Sequence, residues 1–328
     1  MKSLYYANIV EEACARFHAS FSSYKKLSSG YQNEVFEYEA EGSQFILRFS
    51  APQRRKMEML ESELRFIRFL KENGVGVSVP IRSKDDAFIE KINVDGIDRY
   101  ASVFQKAPGY PIEVNDPKEW NDVFFEKWGA LLGKMHKLSK TYNIEETRQK
   151  WRSQQGDILN IGQYLPADLQ DKYKNIMAAI QQLPINENLY GLIHNDFHQG
   201  NMFVDKGRIT LFDFDDCAYN WFANDMAVAF YHAYWQSTSF HPEHTDFKRK
   251  FFVSFLKGYE RFEKVDIELL NQVPVFLKLR EVFLYALFSK HWNCKELQGW
   301  QKETMIQLRH SIKNDIPYAG ITNFLELR

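Results

Sequence analysis

One region in the second half of the chain constrains the possible folds more than any other. Residues 192–201 read Leu-Ile-His-Asn-Asp-Phe-His-Gln-Gly-Asn, and residues 211–215 read Leu-Phe-Asp-Phe-Asp. Together they place Asp196, Asn201 and Asp213 within eighteen residues. Apolar runs flank the polar side chains of both stretches, which predicts short buried strands whose ends carry the polar groups in loops.

The order of these three side chains is typical of a phosphoryl-transfer centre. Asp196 and Asn201 fit the pattern H-x-D-x-x-x-x-N, in which the aspartate receives or orients the substrate hydroxyl proton. Asn201 and Asp213 would then hold Mg²⁺ on a nucleotide. The alternative is that these groups only cap loop turns, but two such motifs in this order favour the chemical interpretation. His194 is interpreted as structural, bonded to backbone below the loop.

The composition excludes several classes of protein. The formal net charge is −1 over 328 residues, which gives no reason to expect a nucleic-acid or membrane partner. The three cysteines, Cys14, Cys217 and Cys294, form no CxxC pair, so neither a zinc site nor a disulfide framework is indicated. The N-terminus has no apolar signal core and no run could span a bilayer, so we expect a cytoplasmic protein.

The chain changes character at Ala107-Pro108-Gly109, where we place a domain boundary. Residues 1–107 are rich in strand patterns, and residues 108–328 are mainly helical. Strands are predicted at 24–29, 34–39, 44–49, 79–82, 87–93 and 99–106, and in the motif region 189–214. Helices are predicted at 4–18, 55–73, 120–138, 167–183, 223–235, 246–262, 266–289 and 297–313. This order predicts an α+β, bilobal chain with a nucleotide between the lobes.

The motif His194-x-Asp-x-His198-x-Gly-Asn201, followed by Asp213-Phe-Asp215, resembles the aminoglycoside phosphotransferase and choline kinase superfamily, and within it the type II homoserine kinase-like branch. The resemblance covers nearly the whole chain. It implies a protein-kinase-like fold with a small antiparallel-sheet N-lobe carrying one main helix, and a larger helical C-lobe with the catalytic loop and acceptor pocket. It also implies that ATP or GTP and Mg²⁺ are the cofactors.

The resemblance also implies which residues bind the nucleotide. Arg48 stands where the family has a phosphate-contacting lysine, and it keeps the charge with a different geometry. Its helix partner should be Glu63, with Glu58 and Glu61 as alternatives. The turn Ser28–Asn33 would cover the phosphates although it has one glycine, and residues 104–107 would offer backbone groups to adenine. The predicted cofactor-binding residues are thus Arg48, Glu63, Gly30, Asn33, Phe104 and Lys106.

Three departures from the protein-kinase pattern are informative, and the first two favour a small-molecule acceptor over a protein. Asn195 replaces the arginine that reads a phosphorylated activation loop. Only eleven residues lie between Asp213 and Asp225, which leaves no room for a long activation segment. His198 replaces the loop lysine, and it would either stabilise charge on the phosphoryl group or order the loop. Asp225 is expected to support the catalytic loop, and His136 is expected to pack in the core.

The acceptor pocket is predicted to use Asp215, Asp216, His198 and Glu281, with aromatic faces from the C-terminal helices. Acidic groups beside aromatic rings suit an amine, so we expect an amino-alcohol, an amino acid such as homoserine, or an aminated sugar. An acceptor with a carboxylate would need a cation, for which Arg280 is a candidate. The competing hypothesis is a catalytically retired kinase-fold protein with a nucleotide-binding or structural role. The oligomeric state is not predicted.

Overall fold

The computed structural model describes residues 2–27, 33–94, 96–142, 161–241, 243, 246–293 and 295–328. Internal contacts divide the chain into two compact units. The first contains Met1–Tyr110 and Phe203–Asp215, and the second contains Pro111–Met202 and Asp216–Arg328. The second acidic motif, Asp213-Phe-Asp215, therefore packs with the first unit, whereas Asp196 and Asn201 belong to the second. The predicted lobe boundary at residues 107 and 108 stays a prediction.

The first unit is built on a five-stranded antiparallel sheet. Its strands are β1 (Ser23–Leu27), β2 (Glu34–Ala40), β3 (Ser43–Ser50), β4 (Glu90–Val94) and β5 (Ile97–Gln105). They lie in the order β1-β2-β3-β5-β4. The central strand, β3, buries Phe45, Leu47 and Phe49 on one face, because alternate residues of a strand point to the same side of the sheet. Strands β4 and β5, which follow one another in the sequence, pair antiparallel.

Two helices pack in the first unit. Helix α1 (Lys2–Phe17) buries Ile9, Val10 and Ala13 in the same core as the sheet. Helix α2 (Met57–Glu72) buries an apolar stripe that includes Leu60, Leu64, Phe66, Ile67 and Leu70. Glu63 lies within this stripe and is completely buried. A carboxylate in such a position requires a partner, because an unpaired buried charge is very costly.

A hairpin from later in the sequence completes the first unit. Strands β8 (Met202–Asp205) and β9 (Arg208–Leu211) are neighbours in a small sheet. Leu211 of β9 forms a parallel bridge with Val77. The approach is close at Gly76, where an added Cβ would lie 2.2 Å from the carbonyl oxygen of Ile209, so a larger residue there would displace the hairpin. These contacts place the acidic motif after β9 in the first unit.

The second unit is mainly helical, as predicted. Its helices are α3 (Asp122–Thr141), α4 (Ala167–Gln181), α5 (Phe222–Phe240), α6 (Phe247–Tyr259), α7 (Ile267–His291) and α8 (Gly299–Lys313). Strands β7 (Tyr190–Ile193) and β10 (Ala218–Trp221) form an antiparallel pair directly beside the catalytic motif. The two-residue strand β6 (Tyr110–Pro111) lies at the junction of the units in the sequence.

Helices α3 and α6 meet through glycines. A Cβ added at Gly129 would lie 1.8 Å from the carbonyl oxygen of Phe255, and one added at Gly258 would lie 1.8 Å from that of Glu126. Side chains of any size are therefore excluded at these positions. Glycine weakens an isolated helix, but here it permits backbone contact between two helices. This contact fixes α3, which carries His136. Residues 194–201, in which Asp196 is predicted to be catalytic, are named the catalytic loop.

Two local predictions were wrong. Residues 79–82 form no strand, since Pro80 makes only an isolated bridge with Phe104. Conversely, Ala218–Trp221 forms β10, although only the motif region of this half was expected to contain strands. Both errors concern short segments whose conformation depends on a partner strand distant in sequence. Among the described residues, no helix is both long and apolar enough to cross a membrane.

Candidate active site

In the first unit, Arg48 and Glu63 form a bidentate ion pair. Nη1 of Arg48 donates to Oε1 of Glu63 at 2.7 Å, and Nη2 donates to Oε2 at 2.8 Å. The guanidinium also lies over the ring of Phe104, 5.0 Å from its centroid. Burial disfavours the charge, but Glu63 outweighs it and raises the pKa of Arg48 above its ordinary value. Of the three helix glutamates considered, the structure thus pairs Glu63 with Arg48.

Asp215 lies at the centre of a second polar cluster in the first unit. Its Oδ2 accepts from Nη1 of Arg54 at 2.6 Å and from Nδ2 of Asn33 at 3.1 Å, and its Oδ1 accepts from Nε of Arg55 at 3.4 Å. Burial would raise the pKa of this carboxyl, but Arg55, Arg48 and Arg54 hold it below its usual range. With 4% exposure and these arginine partners, Asp215 is better suited to hold its own loop than to bind a substrate amine.

The other predicted nucleotide residues of the first unit are placed as follows. Asn33 joins the Asp215 cluster, and Gly30 lies outside the described residues. The backbone N–H of Lys106 donates to the carbonyl oxygen of Gln44, so this bond extends the pairing of β3 with β5. Asp213 is exposed and has a left-handed backbone with φ of 65°. That conformation is uncommon outside glycine and indicates that the loop geometry is imposed at this position.

In the second unit, Asp225 holds the backbone of the catalytic loop. Its Oδ2 accepts from the N–H of His194 at 3.0 Å, and its Oδ1 accepts from the N–H of Asn195 at 2.7 Å. His136, wholly buried, contacts the same carboxylate through Nε2 at 3.4 Å and Tyr259 through Nδ1 at 2.9 Å. The predicted supporting role of Asp225 and the packing role of His136 are confirmed by these contacts.

Asn195 gives the loop its turn. Its φ is 73°, a conformation that asparagine tolerates better than most residues. Its side-chain oxygen accepts from the amides of Asn220 and Asn224 at 3.0 and 2.9 Å, and its own amide donates to the carbonyl oxygen of Asp216 at 3.1 Å. The residue that replaces the protein-kinase arginine is therefore a buried structural element. It orients the backbone one residue before Asp196.

The carboxylate of Asp196 is bonded on both oxygens. Oδ1 accepts from Nη2 of Arg280 at 2.7 Å, and Oδ2 accepts from Nδ2 of Asn201 at 3.1 Å. Oδ2 also lies 3.3 Å from Nε2 of His198. The Nδ1 of His198 accepts from the N–H of Gly200 at 3.0 Å, so its proton is on Nε2, where it faces Asp196. His198 therefore orders the loop, one of the two roles considered for it.

The ion pair between Arg280 and Asp196 was not predicted. Arg280 was considered only as a cation for a substrate carboxylate, because its position in a helix distant in sequence gives no sign of what it contacts. In the structure its Nε and Nη2 also donate to Nε2 of His232, at 3.1 and 2.6 Å. Burial, Arg280 and His198 together hold the pKa of His232 well below its ordinary value, so this imidazole is a neutral acceptor.

The remaining predicted substrate residues differ in their availability. Glu281 is 3% exposed and is bonded to Nζ of Lys278 at 2.7 Å and to the hydroxyl of Ser311 at 2.6 Å. Burial raises the pKa of Glu281, although its two partners oppose the shift. Asp216 is half-buried and joins the catalytic loop through its backbone. Of the acidic side chains predicted for the acceptor, Asp216 is therefore better placed than Glu281.

Comparison with known proteins identifies the family. Residues 23–264 match the APH family, the phosphotransferase enzyme family. The chain belongs to this family. The predicted superfamily, which combines aminoglycoside phosphotransferases and choline kinases, is confirmed, and so is the bilobal protein-kinase-like fold. This phosphotransferase is an enzyme of the small-molecule kinase type, as the short segment after Asp213 indicated.

Two amicoumacin kinases are similar to this phosphotransferase. The amicoumacin kinase of Bacillus subtilis (strain 168) is 30% identical over 319 residues, which are 95% of this chain and 93% of that protein. The structure of the amicoumacin kinase hAmiN in complex with AMP-PNP, Ca2+ and Ami superposes with a TM-score of 0.89. Its identity is 29%, over 98% of this chain and 97% of that one.

A more distant structure shares the fold. The microcompartment-associated aminopropanol kinase has a TM-score of 0.70 at 19% identity, over 93% of this chain and 95% of that one.

Proposed function

We propose that the chain is an ATP- and Mg²⁺-dependent kinase that transfers the γ-phosphoryl group to a hydroxyl of an amine-bearing small molecule. The acceptor oxygen bonds to the γ-phosphorus while the bond from that phosphorus to the β,γ-bridging oxygen breaks. ADP leaves, and the hydroxyl proton passes through Asp196 to solvent. The observation that carries the proposal is the geometry of Asp196, whose carboxylate is held by Asn201 on a loop fixed by Asp225.

The hydrogen bonds define what Asp196 can do. Burial would raise the pKa of Asp196, but His198 and Arg280 outweigh it and hold this pKa well below its ordinary range. Such a carboxylate is a weak base at neutral pH. It therefore orients the acceptor hydroxyl first and takes its proton late, once bond formation to phosphorus has made that proton acidic. This matches phosphoryl transfer, in which positioning contributes more than early proton removal.

The residues for nucleotide and metal are consistent with this reaction. Arg48, fixed by Glu63, supplies a cation for the phosphates, as a lysine does in related kinases. Asn201 donates its amide N–H to the backbone oxygen of Asp196 at 2.9 Å, which leaves its amide oxygen as the ligand atom. That oxygen and the exposed carboxylate of Asp213 are ligands that Mg²⁺ accepts. When bound, the ion neutralises charge on the phosphates.

Features of the second unit support an amine-bearing acceptor with a substantial apolar part. Asp216 is half-buried, its backbone carbonyl oxygen is bonded to the side chain of Asn195, and its carboxylate is the proposed partner of the amine. In addition, a series of ring contacts leads from the catalytic loop to an exposed tryptophan. The aromatic series comprises His198–His232 at 4.4 Å, His232–Trp235 at 6.1 Å, Trp235–Phe288 at 6.4 Å, Phe288–Trp292 at 4.0 Å and Trp292–Trp300 at 5.4 Å. Aromatic faces attract both cations and flat apolar groups.

Amicoumacin is the acceptor to test first, because the two amicoumacin kinases align over nearly the whole chain. The panel then extends to amino-alcohols, homoserine and aminated sugars. ADP release from ATP is measured with and without Mg²⁺, for the native chain and for Asp196→Asn. The control variant is Asp171→Asn, since the Asp171 side chain is 84% exposed.

The expected result is Mg²⁺-dependent ADP release that one acceptor stimulates, that Asp196→Asn abolishes and that Asp171→Asn retains. Mass spectrometry of the acceptor should show the added phosphoryl group. If the native chain binds no nucleotide and no acceptor stimulates turnover, the alternative of a retired kinase fold replaces this proposal. If it binds ATP and phosphorylates an acceptor without an amine, the kinase assignment stands and the amine is wrong.

A further inference from the structure

A cation outside the catalytic motifs contacts the proposed catalytic carboxylate. Arg280 lies in α7, 84 residues after Asp196, and its Nη2 donates to Oδ1 of Asp196 at 2.7 Å. The side chain of Arg280 is 8% exposed, and that of Asp196 is 27% exposed. The pair is thus on the edge of the buried region, with the arginine inside and the aspartate open towards solvent. A charge-assisted bond of this kind is stronger than a hydrogen bond between neutral groups.

The guanidinium is itself held by a second helix. Both Nε and Nη2 of Arg280 donate to Nε2 of His232 in α5. Two donors on one acceptor fix the plane of the guanidinium, so it cannot rotate away from Asp196 without losing both bonds. The ring of His232 also stacks on that of His198, with centroids 4.4 Å apart and planes inclined by 22°. The imidazole therefore couples α5, α7 and the catalytic loop.

We propose that Arg280, anchored on His232, is a positioning residue that fixes the carboxylate of Asp196 for phosphoryl transfer. This inference rests on the proposed function of Asp196. Arg280 occupies Oδ1, while Asn201 and His198 face Oδ2, so the carboxylate is defined in orientation before any acceptor binds. The catalytic loop has no lysine two residues after Asp196, and α7 supplies a cation to the same carboxylate.

The charge of Arg280 adds to its geometry. The charged or titratable side chains that face Asp196 are His198 on its own loop, His232 on α5 and Arg280 on α7. Arg280 is the permanently charged member of this set. Its bond to Oδ1 is therefore charge-assisted, and a neutral side chain at position 280 would hold the carboxylate less firmly.

The test compares Arg280→Gln, Arg280→Lys and His232→Phe with the native chain. Arg309→Gln is the control, because Arg309 is an exposed arginine on α8 that pairs with Asp168. Kinetics with ATP and amicoumacin give kcat and the KM for ATP at pH 8. Independently of any acceptor, the ¹³Cγ chemical shift of Asp196 is measured at the same pH in protein labelled at aspartate, with Asp196→Asn to assign it.

For Arg280→Gln we expect kcat to fall by roughly 10- to 100-fold with little change in the KM for ATP, because one transition-state positioning contact is lost. The ¹³Cγ shift should move away from its native value, because Oδ1 loses its charge-assisted bond. Arg280→Lys should restore part of the shift and part of kcat, because it keeps the charge but not the fork. His232→Phe should also lower kcat, and Arg309→Gln should leave both readouts unchanged.

The outcomes separate the two proposals. If Arg280→Gln folds and changes neither kcat nor the ¹³Cγ shift of Asp196, the positioning role is refuted. If the shift changes but native kcat is undetectable with the whole acceptor panel, the proposed function fails, while the positioning of the Asp196 carboxylate by Arg280 stands. If kcat falls equally in Arg280→Gln and Arg280→Lys with an unchanged shift, the effect is structural and the proposal is wrong.

Discussion

Variants of the buried Arg48–Glu63 pair should change the free energy of unfolding and the affinity for ATP in different ways. Glu63 is wholly buried and Arg48 is 5% exposed, and two bonds of 2.7 and 2.8 Å join them. Glu63→Gln keeps the shape but leaves a buried guanidinium without its counter-charge. Loss of one partner of such a pair costs about 3–5 kcal/mol of unfolding free energy. The lower end is expected here, because Asp215 and Asp213 also attract the Arg48 charge.

Replacing both members has a different effect. In the double variant Arg48→Met with Glu63→Leu, neither position carries a charge, so the desolvation penalty of both charges disappears. Apolar groups of similar volume fill the space beside the Phe104 ring. Replacements of this type are often neutral or stabilising by about 1–4 kcal/mol. We therefore expect the double variant to be at least as stable as the native chain. It should nevertheless lose ATP affinity, because the proposed phosphate-contacting cation is gone.

The assay combines urea unfolding at 25 °C with calorimetric titration of ATP in Mg²⁺ buffer. Free energies come from the midpoint and the slope of each transition. The control is the exposed pair of Arg309 and Asp168, in which Nη2 of Arg309 donates to both carboxylate oxygens, at 3.0 and 2.9 Å. Its double replacement should change neither readout measurably. If the double core variant loses as much stability as the sum of the two single variants, the pair is a stabilising element and the reasoning is refuted.

Three further predictions concern other parts of the molecule. In Asp225→Asn, one of the two oxygens that accept from the loop backbone becomes a donor. The free energy of unfolding should therefore fall by about 1–3 kcal/mol in urea unfolding. In steady-state kinetics, kcat should fall while the KM for ATP changes little. Gly258→Ala should lower the free energy of unfolding by about 1–3 kcal/mol, because its Cβ would collide with the backbone of α3. Gly299→Ala is the control: a Cβ there meets no atom within 4 Å, so the same unfolding assay should show no change. Asp213→Asn should raise the Mg²⁺ concentration needed for half-maximal turnover. Because Asp213 is exposed, the free energy of unfolding should stay the same. An unaltered Mg²⁺ dependence would show that Asp213 is not a metal ligand.

The local patterns of the sequence determined most of the fold. The short apolar run in 44–49 and the helical stripe in 55–73 depend on which residues are apolar and at what spacing. They therefore predicted β3 and α2 without knowledge of neighbouring elements. The motif around Asp196 likewise lies within one short stretch, and its loop and flanking strand are local. A period cannot be read from a four-residue segment, which is why β10 was missed and a strand at 79–82 was wrongly expected.

Only the tertiary structure decided how charges are paired. Asp215 and Glu281 are acidic in sequence, but whether such a group is available to a substrate depends on the side chains that the fold packs against it. Arg54 and Arg55 bind Asp215, Ser311 of α8 binds Glu281, and Arg280 reaches Asp196 across 84 positions. Ion pairs form between side chains that the fold brings together, and sequence separation carries no information about that distance. The sequence determined which groups the enzyme has, and packing of the helices and loops decided which of them are already paired.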